Sequence, residues 1–149
     1  LTGDTGYVHA IDRIWENVVT KKLYITGGIG ATNNGEAFGK NYELPNLSAY
    51  CETCAAIGNV YWNYRLFLLH GESKYYDVLE RTLYNGLISG VSLEGNGFFT
   101  RTLWHRPVSI SVNLGSVALV VRLIFAALFL RCRGIYMQFM TKMYMSISL

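Results

Sequence analysis

Up to about residue 90, apolar residues recur at the spacing of a helix, and no stretch alternates as a strand would. Tyr7, Ile11, Ile14 and Val18, flanked by Val8, Trp15 and Val19, form one stripe, with Asp12, Arg13, Glu16 and Asn17 on the other face. This predicts an amphipathic helix ending near Lys21 and Lys22, whose charges suit a helix C-terminus. The segment LYITGGIGATNNG follows, and its clustered Gly27, Gly28 and Gly30 forbid further helix, predicting a loop or short extended element. Ser48 offers an N-cap for a second long helix carrying Ala55, Ala56, Val60, Tyr61, Tyr64, Phe67 and Leu68. His70-Gly71-Glu72 breaks that helix. Ser73 then caps a third, with Tyr76, Leu79, Leu83 and Leu87 inward, so the last two helices form an antiparallel hairpin. Helix after helix with short links predicts an all-α fold.

The pattern does not run to the end of the 149-residue chain. All ten acidic residues lie at or before Glu94, so residues 1–100 hold seven Lys and Arg against ten Asp and Glu, a net of −3. From Arg101 on there are six basic residues, no acid, and all four methionines. This change near Phe99 makes the overall charge of +3 a poor guide to any partner, and nothing in it points to nucleic acid. The opening LTGDTGYVHA has no initiator Met, basic region or apolar core of a signal peptide, so the natural N-terminus is expected to lie upstream. Three cysteines, Cys51, Cys54 and Cys132, do not make a disulfide framework. Cytoplasm and periplasm both stay open as the compartment.

The chemistry gathers between Gly35 and Cys54, in GEAFGKNYELPNLSAYCETC. Glu36 and Glu43 sit in a polar loop, where a solvated carboxylate is the ordinary outcome and a proton carrier the functional one. Cys51 and Cys54 form a CxxC that fits a redox pair, half of a thiolate zinc site, or two buried thiols at a helix start. Glu52 and Cys54, two apart, would diverge in a regular helix, so both can reach one ion only where the backbone enters the helix irregularly. GGIG matches neither common phosphate-loop pattern. His9 and His70 are expected to be structural. Tyr50, Tyr61, Trp62 and Tyr64 could wall a sugar site, although aromatics at helical spacing are more often core.

The TGGIG, GEAFG, YELPN, ETCA and LYNG blocks, spread over residues 1–99, closely resemble the catalytic domain of glycoside hydrolase family 127, whose founding activity is β-L-arabinofuranosidase. The resemblance implies a fragment of an (α/α)6 barrel, an oligosaccharide or glycoconjugate substrate, and release of L-arabinofuranose with retention of configuration. It further implies Glu36 as the general acid/base and Glu52 and Cys54 as zinc ligands. In the family two adjacent downstream cysteines complete the zinc shell, and one of them is the nucleophile.

This sequence has no adjacent cysteines. Yet possible codons for Ser116 to Arg122, regrouped one base over, read Gly-Cys-Ala-Cys-Cys-Pro. Single-codon residues constrain the same shift: Trp104 becomes Ala, Met137 Ala, Met140 with Thr141 Asp, and Met143 with Tyr144 Val. A one-base slip near the codons of Phe98 and Phe99 would explain why acids vanish where methionines appear. Residues 100–149 are therefore expected to be an out-of-frame tail rather than a domain. The apolar run Val117 to Leu130, broken by Arg122, is shorter than the roughly 20 residues that span a bilayer. The polypeptide as written is expected to be inactive. The alternative is a non-catalytic helical protein, either a carbohydrate-binding pseudoenzyme or a decayed reading frame.

Overall fold

A computed structural model describes residues 5–91 and 93; the tail from residue 94, Cys132 included, lies outside the described residues. Three helices dominate: α1 (Thr5–Lys21), α2 (Thr53–His70) and α3 (Ser73–Arg81). A π-helical turn (Thr82–Leu87) and a 3-10 turn (Ile88–Gly90) continue from α3. Among the described residues there is no strand; an isolated bridge joins Thr32 and Ala37, and Glu52 and Val91 are also bridge residues. The fold is all-α, as expected of a partial (α/α)6 barrel.

α2 stops at Gly71, which takes a left-handed conformation (φ 72°) and donates its N–H to the Phe67 carbonyl at 2.8 Å. The chain turns back at once into α3. The start of α3 lies against the end of α2, where the rings of Tyr75 and His70 stack at 5.3 Å. The end of α3 reaches the middle of α2, where Asn59 donates to Thr82 Oγ1 at 3.1 Å. The two helices are therefore antiparallel. α1 joins them through a core of Trp15, Leu66, Tyr75 and Val78, with Val19, Leu23, Trp62 and Phe67 around it. Trp15 and Tyr75 meet edge to face at 4.6 Å.

Three details depart from the sequence pattern. Ser48 caps nothing: α2 begins at Thr53 from an extended Glu52 (φ −87°, ψ 146°). On α1 the inward face turns toward Trp15 and Val18, leaving Ile14 56% and Tyr7 68% exposed, while the expected outer residue Asp12 turns in. Asp12 Oδ1 lies 2.9 Å from His70 Nε2, a contact that goes with this rotation, where apolar spacing alone would place Ile11 and Ile14 inward. On α3 Tyr75, not Tyr76, is fully buried, because its ring packs on both Trp15 and His70.

A chain of buried polar groups crosses this apolar junction. Trp15 Nε1 donates to Asn63 Oδ1 (2.7 Å), and Asn63 Nδ2 donates to the Asn59 carbonyl and side-chain oxygens (2.8 and 2.9 Å). Asn59 Nδ2 reaches Thr82 Oγ1 (3.1 Å) and the Gly27 carbonyl (3.4 Å), and the Thr82 hydroxyl lies within donating distance of the Gly27 and Val78 carbonyls (3.2 and 2.8 Å). Asn59, Asn63 and Thr82 are almost wholly buried, so each bond replaces one to water that folding removes. α1, α2, the end of α3 and the glycine loop are thereby locked in one register.

Candidate active site

The segment between α1 and α2 follows an irregular path set by glycine. At Gly27 the backbone has φ +83°, and a Cβ there would stand 2.7 Å from the Thr82 Cα. At Gly30 φ is +110°, and a Cβ would collide with the Tyr50 carbonyl oxygen. Both positions thus need the left-handed freedom and the bare backbone of glycine. The LYNG block supplies the matching surface, since Gly86 in the π turn lies against Ala56, Gly28 and Gly27.

Past Gly30 the chain makes a narrow loop closed by Ala37. Ala31 N–H donates to the Ala37 carbonyl (3.0 Å), and Ala37 N–H to the Thr32 carbonyl (3.2 Å). Glu36 sits at the end of the 3-10 turn Asn34–Glu36 with φ +49°, a conformation that non-glycine residues rarely hold. The returning segment docks on the loop's base: Tyr50 N–H donates to the Gly30 carbonyl (3.2 Å), and Cys51 Sγ lies 3.6 Å from the same oxygen. Tyr50 Oη donates to Glu36 Oε1 at 3.4 Å. Glu36 is in this way tied to the segment that carries Glu52 and Cys54.

Glu52, extended just before the first turn of α2, provides the irregular helix entry that a shared ion would need. Its carboxylate lies close enough to the Cys54 thiol to shift its pKa. Burial raises the Cys54 pKa, the Glu52 charge and hydrogen bond raise it further, and backbone N–H groups of Ala55 and Cys54 pull it down. A carboxylate beside a thiol whose ionisation it disfavours is a pair that a divalent cation would relieve. Among the described residues no group of three or more His, Cys, Asp or Glu stands together as a metal site.

The other candidates are structural. Cys51 is buried with Tyr24 and Ala49, and burial pushes its thiol up to about 11. A thiol held neutral in that way is a small apolar side chain rather than a nucleophile. Tyr24 is likewise raised to about 12, by burial first and then by Cys51 and Glu43, and its hydroxyl donates to the Pro45 carbonyl at 3.1 Å. Glu43 Oε2 accepts the Lys40 N–H at 2.7 Å and so braces its own loop. His9 is exposed on α1, and His70 serves the Asp12 pair. Trp62 packs on the Trp15 cluster, which favours core over sugar wall for that ring. The hydrogen bond of Tyr50 to Glu36 was not legible in the spacing, because it forms only once Gly30 brings two distant segments together.

The family model described as the β-L-arabinofuranosidase GH127 catalytic domain matches residues 1–109. A curated non-reducing end β-L-arabinofuranosidase of Bifidobacterium longum subsp. longum is 41% identical over 99 residues, covering 66% of this chain and 15% of that protein. A solved GH127 β-arabinofuranosidase is similar with a TM-score of 0.76 and 64% identity, covering 83% of this chain and 20% of its own. A solved GH127 β-L-arabinofuranosidase from Geobacillus stearothermophilus gives a TM-score of 0.69 and 44% identity, over 71% of this chain and 17% of its own. The chain thus spans no more than about a fifth of these relatives.

Proposed function

The chain belongs to the β-L-arabinofuranosidase GH127 catalytic-domain family, and on that premise we propose that it carries one half of the active site of a retaining glycoside hydrolase acting on β-L-arabinofuranosides. The observation that carries the reading is the tie from Glu36, in its left-handed turn, through Tyr50 to the helix entry bearing Glu52 and Cys54. In that reaction Glu36 protonates the glycosidic oxygen as the aglycone leaves and the family's cysteine nucleophile takes the sugar. As a carboxylate Glu36 then takes a proton from the water that displaces the thiolate and releases the sugar.

Glu52 and Cys54 would hold zinc: a carboxylate and a thiol in contact suit a borderline-soft cation, and the extended backbone at Glu52 lets both face one point. Bound zinc would favour thiolate over thiol among its sulfur ligands. Within this chain Glu52 and Cys54 would hold that ion, while the buried Cys51 thiol stays neutral.

The polypeptide as written lacks the adjacent cysteines of the family pattern and is inactive on this reading. The DNA across the codons of Phe98 and Phe99 tests the cause: a one-base slip is expected, and an intact frame with no recoverable cysteine pair overturns it. Zinc titration and arabinose release, measured on the chain and on a frame-restored version, test the function. Tight zinc and hydrolysis only after restoration support the reading; arabinose released by the chain as written refutes its inactivity.

A further inference from the structure

We infer that Tyr50 is a positioning residue for Glu36, its hydroxyl holding Oε1 so that Oε2 is left as the oxygen that carries the proton. The inference rests on the acid/base reading of Glu36 given above. The donor stands on a fixed seat: Tyr50 N–H is bound to the Gly30 carbonyl, the Tyr50 carbonyl fills the space a Gly30 side chain would take, and the next residue, Cys51, is buried. The acceptor stands on a strained one, since Glu36 holds φ +49° and its own N–H reaches back to the Asn33 carbonyl at 3.3 Å.

Chemistry gives this pairing a purpose. A carboxyl group that rotates freely offers its proton in many directions, whereas one oxygen engaged by a fixed donor leaves the other with a defined heading. A phenol can only donate to an ionised carboxylate, and it can also donate to the carbonyl oxygen of the protonated acid. One contact therefore serves both the acid and the base form. The separation of 3.4 Å is at the long end of such bonds, as catalytic contacts often are before substrate closes the site.

The test reads the carboxyl itself. In the full chain labelled with carboxyl-¹³C glutamate, the Glu36 signal is identified by its loss in Glu36→Gln. Tyr50→Phe is expected to displace that signal more than any other glutamate signal, while Tyr61→Phe, a control ring on α2, leaves it in place. An unmoved Glu36 signal with helical circular dichroism retained overturns the proposal. Should Tyr50→Phe lose helix, the reciprocal measurement decides: Glu36→Gln must displace the Tyr50 ring-carbon signal next to the hydroxyl, and an unmoved signal again overturns it. A silent carboxyl leaves the acid/base reading intact. Unchanged hydrolysis by Glu36→Gln in the frame-restored chain would remove that reading and leave the contact standing.

Discussion

The helix junction and the loop that meets it treat polar groups in opposite ways. At the junction, Trp15, Asn63, Asn59 and Thr82 pass hydrogen bonds from one to the next and end on the Gly27 carbonyl. In the loop, Glu52 and Cys54 face each other as two acids, and Glu36 holds a backbone conformation that costs energy. The first arrangement is closed and stabilising. The second is left open to something that the fold itself does not supply, which is how a site differs from a core.

The contrast can be broken most severely at the junction. Asn63→Ala would strand the Trp15 indole N–H and the Asn59 side chain in a dry interior, and should cost about 3 kcal/mol in chemical denaturation. A loss below about 1 kcal/mol would show that water replaces the lost partner and that the junction is less closed than its burial implies. Next in size, Gly30→Ala should cost about 2 kcal/mol through the collision with the Tyr50 carbonyl and the strain at φ +110°, and should move Tyr50 off Glu36. If Gly30→Ala folds with unchanged stability, the loop is not seated as described.

Two smaller effects sharpen the loop side. Glu36→Gly should stabilise the chain by about 1 kcal/mol, because glycine holds φ +49° without strain. A destabilised Glu36→Gly would mean that the carboxylate contributes to folding as well as chemistry. The last effect is absent at neutral pH. Cys51 is neutral in the fold with its thiol raised from 9 to about 11, so the unfolded chain ionises first as pH rises. Its stabilisation is complete below about pH 9 and is lost on the way to about pH 11. Cys51→Ala should flatten that part of the stability profile relative to the parent chain, measured by denaturation at stepped pH.

The sequence made the helices legible because their apolar periods and the glycine breaks are local signals. It placed α3 one residue out at Tyr75, and on α1 it had Trp15 and Val18 inward but also Ile11 and Ile14, because ring stacking and the Asp12–His70 contact form between segments far apart in the chain. It suggested Ser48 as a cap from residue type alone, whereas the helix waits until Thr53. Asn59 and Asn63 did leave a trace: two amides at i and i+4 on the apolar face of α2, beside Ala56 and Val60, are unusual enough to suggest a buried network. The family blocks are what single out Glu36, Glu52 and Cys54 as candidates. The tie through Tyr50 was not, since it needs the backbone approach at Gly30.

The π-helical turn at Thr82–Leu87 also limits how this protein can tolerate a change in length. Such a turn holds about one residue more than an α-helical turn would over the same rise. Deleting a single residue there would let α3 run on as an ordinary helix, gaining regular hydrogen bonds. Gly86, which lies against Gly28 and Gly27, sits inside that wider turn, so closing it to an α turn would alter the backbone where the glycine loop docks. The better helix would thus be the worse scaffold. At this point a one-residue deletion should therefore disturb the docking of the glycine loop although it makes the helix more regular.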